Sequence, residues 1–470
     1  MKCVFRIAAT ALALIACEGR VRFSPEDIAR ADLGNGLPSG FLLGAATASA
    51  QVEGGLDNNW TDWAAGSYPD GRPHIEGGQQ IGLSTDSWNK FSTHDLPALV
   101  QLKANSYRLS IEWSRVEPSR GAFDQTAIDR YSGWMKALRA NGITPMVTLN
   151  HFSLPKWVVE QGGWESDQTA IDFEAYAARM AQALGADVDL WCTINEPNVY
   201  AVLGYLDGVW PPGVEDGARM ARVIDKQIDG HARAARALRE HDLDDADGDG
   251  KATMIGIAHH MFGFQPASSS ILDTMVAGAT DDFFNESVVR AVLTGRVDLV
   301  VPGVIEIHRE APLAKGSFDY LGLNYYRREF LRADLGRTQL AVSFVPEGEP
   351  TNDLGWSLYP EGFYAMLVRA SRWELPVFVT ENGTAANEPG SDGHREFLRD
   401  HVYAMERAIA DGANVRGYYY WSLMDNFEWD HGYNPKMGLF RVNFDDPDLT
   451  RVPTSAVELF AEIATRAAAQ

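Results

Sequence analysis

Short apolar runs recur along nearly the whole chain and are separated by longer stretches with a helical pattern. The runs cover residues 41–47, 107–113, 145–150, 190–196, 254–260, 320–326, 377–382 and 417–422. Because each run is continuously apolar and does not alternate with polar residues, it is typical of a parallel strand in a covered sheet. Helices are predicted over residues 126–141, 173–184, 218–238 and 395–411. Eight alternations of strand and helix predict an α/β fold, a single (β/α)8 TIM barrel.

Polar side chains capable of chemistry gather near the ends of these runs. They are Gln51 and Glu53 after the first run and, farther along, Arg108, Glu112, Asn150, His151, Asn195, Glu196, Asn324, Tyr326, Glu381, Asn382 and Trp421. In a (β/α)8 barrel the carboxyl ends of all strands meet at one face, where active sites are built. The pattern therefore predicts an active site at the C-terminal face of the barrel.

Composition and charge narrow the class of protein. Of the 470 residues 45% are hydrophobic, which excludes a disordered chain. The 41 Lys and Arg against 64 Asp and Glu give a net charge of −23, which repels a phosphate backbone. We therefore expect no nucleic acid among the partners.

The first residues resemble an export signal. Lys2 and Arg6 precede an apolar stretch, residues 7–16, that is too short to span a membrane. The stretch ends at Cys17 in a sequence similar to a bacterial lipobox. We expect residues 1–17 to be a signal and Cys17 to carry a lipid, giving an exported, membrane-anchored protein in the periplasm or at the cell surface. Cleavage without a lipid and an uncleaved N-terminus are the alternatives. Residues 18–40 are predicted to be a tether and residues 41–465 the barrel.

Two glutamates follow the fourth and seventh runs. Glu196 lies in Thr-Ile-Asn-Glu-Pro and Glu381 in Thr-Glu-Asn-Gly. Strands four and seven lie roughly across the mouth of a (β/α)8 barrel, so both carboxyl groups can face one cavity. Two carboxyl groups that flank a sugar are the minimum equipment for glycoside hydrolysis.

The sequence around these glutamates resembles glycoside hydrolase family 1, the β-glucosidase family. The matching motifs are residues 41–54, 108–115, 193–197, 324–326, 359–362, 380–383 and 421–429. The resemblance implies a retaining β-glycosidase, with Glu196 as acid/base and Glu381 as nucleophile. It implies small-molecule β-glycosides or oligosaccharides as substrates and no cofactor, because the carboxyl groups carry out all the chemistry.

The same resemblance places Arg108 and Tyr326 against the nucleophile. A cation and a hydroxyl donor are expected to keep Glu381 ionised, so that Glu196 carries the proton for the glycosidic oxygen. Once Glu381 is esterified its charge disappears, and Glu196 can take a proton from water.

The resemblance also implies a sugar-binding set. Its members are Gln51, His151, Asn195, Asn324, Trp356, Trp421, Glu428 and Trp429. Trp421 is expected to stack beneath the sugar, and Trp356 to form the aglycone wall or to pack under a loop. The negative charge of Glu428 would repel a phosphate group, and the positive charge of Lys436 does not obviously offset this repulsion. Unphosphorylated substrates are therefore expected. Glucosides, fucosides and galactosides all remain open.

A weaker motif precedes the fifth run. Asp245, Asp247 and Asp249 followed by Gly250 resemble the first half of a calcium loop, but its twelfth position is Gly256 in place of Glu. A structural calcium ion and a solvated turn are both open, and no metal is expected in the catalytic step.

Two rival functions share the predicted site. A transglycosidase would use an acceptor sugar in place of water at the same intermediate. An anchored sugar-binding receptor would keep the pocket without turnover, although the presence of both glutamates argues against it.

Overall fold

A closed barrel of eight parallel strands forms the centre of the protein. The computed structural model describes residues 21–334, 336 and 340–470. The barrel strands are β1 Leu42–Ala46, β2 Ser106–Ser110, β3 Thr144–Asn150, β4 Leu190–Asn195, β5 Met254–His260, β6 Leu321–Asn324, β7 Val377–Asn382 and β8 Val415–Trp421. Each strand pairs with its neighbours in chain order, and β1 pairs with both β2 and β8. The predicted (β/α)8 barrel is confirmed, with run boundaries that differ by only a few residues.

One helix packs outside the barrel after each strand. These helices are α1 Leu96–Gln101, α2 Gln125–Ala140, α3 Asp167–Leu184, α4 Gly217–His241, α5 Ser287–Thr294, α6 Pro360–Ala370, α7 Gly393–Ala410 and α8 Ser455–Ala467. Helix α2 begins where the Asp124 side chain accepts the N–H groups of Thr126 and Ala127, and Asp216 caps α4 in the same way. The four helices predicted from the sequence correspond to α2, α3, α4 and α7.

Further helices lie in the loops and before the first strand. They are Pro25–Arg30, Ser49–Val52, Asn59–Ala64, Ser87–Lys90, Trp113–Val116, Lys156–Glu160, Pro197–Tyr205 and Ile271–Asp281.

Small sheets outside the barrel were not predicted. Gly263–Pro266 follows β5 and pairs in parallel with Arg328–Ala333, which follows β6. Ala341–Phe344 adds an antiparallel third strand. Since the first two strands continue from the carboxyl ends of β5 and β6, this sheet stands beside the C-terminal face of the barrel. Two further antiparallel ribbons are Arg296–Val301 with Ile305–Glu310, and Phe440–Val442 with Arg451–Pro453.

The predicted signal, residues 1–17 with Cys17, lies outside the described residues. Of the predicted tether the structure describes residues 21–40, and these pack on α6 and α7. The Phe23 ring meets Tyr364 and Tyr403 edge-on at 5.9 and 5.2 Å, and the Gly34 N–H donates to Glu406 at 2.6 Å. Among the described residues, no helix is long and apolar enough to cross a membrane.

A buried ion pair supports the loop after β8. The Arg451 guanidinium, on the last ribbon, donates to Asp95 Oδ1 at 2.7 Å, and their side chains are 3% and 1% exposed. We expect Asp95→Ala to lower the free energy of unfolding by about 3 kcal/mol, because it leaves a buried guanidinium without its counter-charge. Urea denaturation measures this change. Asp70→Ala, which breaks the exposed pair with Arg72, is the control and should leave the midpoint unchanged. Equal shifts in both variants would contradict the prediction.

Candidate active site

Glu196 lies at the junction of β4 and a helix. Its backbone has φ 42° and ψ 62°, a left-handed conformation, and Pro197–Tyr205 begins directly after it. The side chain is almost buried. Its Oε1 accepts a hydrogen bond from Asn324 Nδ2 at 2.8 Å and lies 2.7 Å from His260 Nδ1. Residues from three strand ends, β4, β5 and β6, therefore meet at one carboxyl group.

Glu381, near the end of β7, accepts one hydrogen bond at each of its carboxyl oxygens. Arg108 Nη1 donates to Oε1 at 2.6 Å, and the Tyr326 hydroxyl donates to Oε2 at 2.7 Å. The carboxyl group and the guanidinium are 4% and 1% exposed, so this ion pair is shielded from solvent. The structure thus brings Arg108 and Tyr326 to Glu381 as the sequence predicted.

A single hydrogen-bond network links the two glutamates. Besides Glu381, Arg108 donates through Nη2 to Asn195 Oδ1 at 2.7 Å. Asn324 Nδ2 donates to that same oxygen at 3.3 Å and to Glu196. Every member of the network is buried, which fixes the relative position of the two carboxyl groups.

Burial dominates the charge state of Glu381. It raises the pKa of this carboxyl group; the Arg108 cation opposes the rise, the nearby Glu196 adds to it, and the resulting pKa is about 7. We expected the two donors to keep Glu381 ionised. They do lower its pKa, but desolvation outweighs them because water barely reaches the group. Burial and then Glu381 raise the pKa of Tyr326 well above its usual value, so its hydroxyl stays a donor.

Several residues around the two carboxyl groups have buried polar atoms without a hydrogen-bond partner. These atoms include Gln51 Oε1, His151 Nδ1 and His260 Nε2. Burial, followed by the Arg108 charge, lowers the pKa of His151 well below its usual value, so its ring is neutral. Buried polar groups in folded proteins are normally paired. Unpaired atoms grouped around two carboxyl groups indicate a place for a polar ligand.

Glu428 and Gln51 contact each other at the edge of this group. Gln51 Nε2 donates to Glu428 Oε2 at 3.2 Å and to the Phe427 carbonyl at 2.8 Å. Burial, reinforced by the Glu381 charge, raises the pKa of Glu428 to about 8. The site therefore carries less negative charge at neutral pH than its three carboxyl groups suggest.

Aromatic rings complete the site. The His151 ring stacks on Trp421 with centroids 5.6 Å apart, and Trp429 lies 6.1 Å from the same ring. Trp356 meets the Tyr326 ring edge-on at 5.6 Å.

The candidate residues surround one cavity of about 760 Å³. Its lining includes His151, Glu196, Tyr326, Trp356, Glu381, Trp421, Glu428 and Trp429. Four predicted residues lie behind this lining and hold it through hydrogen bonds: Arg108, Gln51, Asn195 and Asn324. All twelve predicted catalytic and sugar-site residues are thus brought together.

Two other glutamates near strand ends lie in a separate network. Glu53 accepts from Arg115 Nε at 2.9 Å and from the Tyr131 hydroxyl at 2.5 Å, and Glu112 accepts from Ser153 Oγ at 2.8 Å. Neither lines the cavity, and their contacts indicate a structural role.

His260 is a site residue that the sequence analysis missed. It ends β5, the position from which other strands supply site residues, and this was the available signal. Its ring lies 4.2 Å from Phe262 and 5.7 Å from Tyr326 in the cavity wall.

The acidic loop lies far from this site in the fold. Carboxylate oxygens of Asp245, Asp247 and Asp249 lie within 4.8 Å of one another, but the loop's own N–H groups donate to all three side chains. Gly256 lies inside β5, so the twelfth position adds no side-chain ligand. The loop leads into the amino end of β5, opposite the active-site face. Calcium binding stays a prediction.

Comparison with known proteins gives consistent matches over most of the chain. The sequence model of Glycosyl hydrolase family 1 matches residues 34–468. Beta-glucosidase A of Acetivibrio thermocellus is 32% identical over 433 residues, 87% of this chain and 94% of that protein. The beta-galactosidase of Pyrococcus woesei is 30% identical and covers 91% of this chain and 96% of its own length. The Thermotoga maritima beta-glucosidase in complex with glucoimidazole has a TM-score of 0.81 at 27% identity, with 92% and 99% of the chains covered.

Proposed function

Since this chain belongs to glycosyl hydrolase family 1, and is thus a retaining β-glycosidase, we propose that Glu381 is its nucleophile and Glu196 its acid/base. One observation carries this proposal. Two buried carboxyl groups on β4 and β7, each with its own donors, face the same cavity and are joined through Arg108, Asn195 and Asn324. This is the arrangement that double displacement requires.

The reaction proceeds in two displacements. In the first, a Glu381 carboxylate oxygen attacks the anomeric carbon, the glycosidic C–O bond breaks, and Glu196 donates its proton to the departing aglycone oxygen. In the second, water attacks the same carbon, Glu196 accepts a proton from that water, and the ester bond to Glu381 breaks. Two inversions release the sugar with its β configuration, and no cofactor is needed.

The neighbours of the carboxyl groups have distinct roles in these steps. Arg108 and Tyr326 stabilise the Glu381 anion before attack and after release. We assign Asn195, whose Oδ1 is held by Arg108, to the sugar's 2-hydroxyl, where hydrogen bonding strengthens in the transition state. His260 and Asn324 position Glu196.

The preferred sugar is an unphosphorylated hexoside, glucoside first, with galactosides and fucosides as further substrates. Glu428 and Gln51 support this, because a carboxyl group and an amide bind hydroxyls and offer no cation to a phosphate. Lys436 does not supply one, since it is not among the described residues that line the cavity. The names of the two relatives, beta-glucosidase and beta-galactosidase, agree with this range.

For location we propose export and a lipid on Cys17. The support is the sequence of residues 1–17 alone. Mass spectrometry of the protein extracted from cells would detect the acyl groups.

Removal of either glutamate tests the mechanism. Glu381→Ala should lower kcat/KM for an aryl β-glucoside by about 10⁴-fold or more, because no covalent intermediate forms. Glu196→Ala should lose about 10²–10⁴-fold on alkyl glucosides. With 2,4-dinitrophenyl glucoside, whose leaving group needs no proton, the rate of the first step in Glu196→Ala should fall much less. Azide, a nucleophile that needs no general base, should restore the turnover of this variant. Steady-state kinetics of the purified protein measure these changes.

Glu160→Ala, at an exposed position, is the control and should behave as the wild type. Sugar binding by the folded wild type without hydrolysis of any β-glycoside would favour the receptor. Transfer to added acceptor sugars in excess over hydrolysis would favour the transglycosidase.

The acidic limb of the pH profile tests the charge state of Glu381. The nucleophile must be ionised, so kcat/KM should fall as pH drops below about 7, tenfold per unit at the lowest pH. Tyr326→Phe removes a donor that lowers this pKa and should move the limb to higher pH. Tyr419→Phe, whose hydroxyl bonds to Ser106 inside the barrel, is the matched control and should leave the limb in place. A limb that moves to lower pH in Tyr326→Phe would refute the assignment.

His260 is testable as a positioning residue. His260→Ala should lower kcat/KM for alkyl glucosides by up to about tenfold, since a hydrogen bond contributes about 0.5–1.5 kcal/mol. The loss on 2,4-dinitrophenyl glucoside should be smaller, and His260→Asn should recover part of the activity. Equal losses on both substrates would indicate only a structural role.

A further inference from the structure

The cavity extends well past the two glutamates on the side away from Glu428. The sugar end carries the carboxyl groups, His151, Trp421 and Trp429. The other end is lined mainly by hydrocarbon, for example by Val199, Val202, Leu203, Phe264, Phe284 and Val342. Only a small part of a 760 Å³ cavity is needed for one hexose ring, so the apolar end is part of the binding site.

Several elements outside the barrel contribute to this apolar end, including residues 276–284 and the ribbon residues 300–302. The helix Pro197–Tyr205, which begins directly after Glu196, presents Val199, Val202 and Leu203 at helical spacing. Across from it lies the three-stranded sheet that follows β5 and β6.

The apolar end has a fixed shape. Phe264, Ala277, Phe284 and Leu331 form a small buried core of their own, and Val202 packs against it. The wall is therefore backed by packed side chains and is not an open loop surface.

The charged side chains at this end already have partners. Arg327 Nε donates to Glu329 Oε1 at 2.6 Å, and its guanidinium lies over the rings of Trp356 and Phe262 at 4.6 and 5.2 Å. A second sugar would bring several hydroxyls to this wall, and each hydroxyl buried without a partner costs about 1–3 kcal/mol. A hydrocarbon chain meets no such penalty and gains from burial.

We propose that the preferred substrates are β-glycosides with an aliphatic aglycone, the chemistry shared by alkyl and isoprenoid glycosides. The inference rests on the proposed function, because it places the sugar between Glu196 and Glu381 and the aglycone along Val202 and Val342. The glycosidic oxygen then lies at Glu196, where the polar and apolar ends of the cavity meet.

A series of n-alkyl β-glucosides from methyl to octyl tests this proposal on the full-length enzyme. The reacting bond is nearly constant along the series, so kcat/KM reports aglycone binding. It should rise about fourfold for each methylene that becomes buried. Octyl glucoside should also exceed cellobiose. A flat or falling series, or a preference for cellobiose, would overturn the proposal. Geranyl β-glucoside, compared with octyl, distinguishes isoprenoid from linear chains.

Substitutions at the apolar end of the cavity test whether the preference for long alkyl chains arises there. Val342→Asp should reduce the octyl-to-methyl ratio of kcat/KM at least tenfold, because it places a charge in the hydrocarbon end. Val345→Asp, three residues away at a position 44% exposed and outside the cavity lining, should keep the wild-type ratio. Val202→Thr changes polarity at nearly constant shape and should also lower the octyl-to-methyl ratio. This variant replaces Val342→Asp as the test if Val342→Asp does not fold.

The ratio separates this inference from the proposed function. If the enzyme hydrolyses an aryl glucoside but kcat/KM does not rise along the n-alkyl series, the proposal of an aliphatic aglycone is refuted and the proposed function stands. Absence of hydrolysis for aryl and alkyl glucosides together refutes the proposed function.

Discussion

The active site depends on one buried ion pair, Arg108 with Glu381, at the mouth of the closed barrel. Burying a guanidinium and a carboxylate is unfavourable unless their remaining hydrogen-bonding groups are also paired. Here Thr148 on β3, Asn195 on β4 and the Thr380 carbonyl on β7 accept hydrogen bonds from three more of the five N–H groups of the guanidinium. Because these partners come from separate strands, the pair is stable only when the barrel is closed in its correct register. A shift of one residue in any of those strands would turn a partner away.

The sequence predicts the barrel well because its strands are covered on both faces. Runs 254–260 and 377–382 coincide with β5 and β7, since a continuously apolar segment has few alternative places in a soluble protein. The ribbon formed by Arg296–Val301 and Ile305–Glu310 was not predicted, because it is not covered on both faces. Ile305–Glu310 alternates between partly buried and exposed positions and lies on the surface, so its apolar signal is weak. Such segments are placed by the sheet or helix they meet, which the local sequence does not encode.

For the site, strand-end motifs predict which residues gather but not how they interact. The positions of the fourth and seventh strands placed Glu196 and Glu381 in one cavity, and the structure adds His260, whose contact with Glu196 joins residues from different strands. The charge state of Glu381 was harder still to predict. Two donors are visible in the sequence, whereas the depth of burial that outweighs them is a property of the whole fold. For the nucleophile that we propose, a pKa near neutrality has a chemical consequence, because a carboxylate that is too strongly stabilised would attack poorly.

The helix Pro197–Tyr205 connects the chemistry to substrate selection. Glu196 directly precedes it, and Val199, Val202 and Leu203 line the cavity from its next turns. A packed helix moves as a rigid unit, so an aglycone bound as we propose would also act on the position of Glu196, the proposed proton donor. Under this proposal, aglycone binding and protonation of the leaving oxygen are coupled through one turn of backbone. It follows that wall substitutions that displace this helix should alter kcat as well as KM, whereas changes on the facing sheet should act mainly on KM.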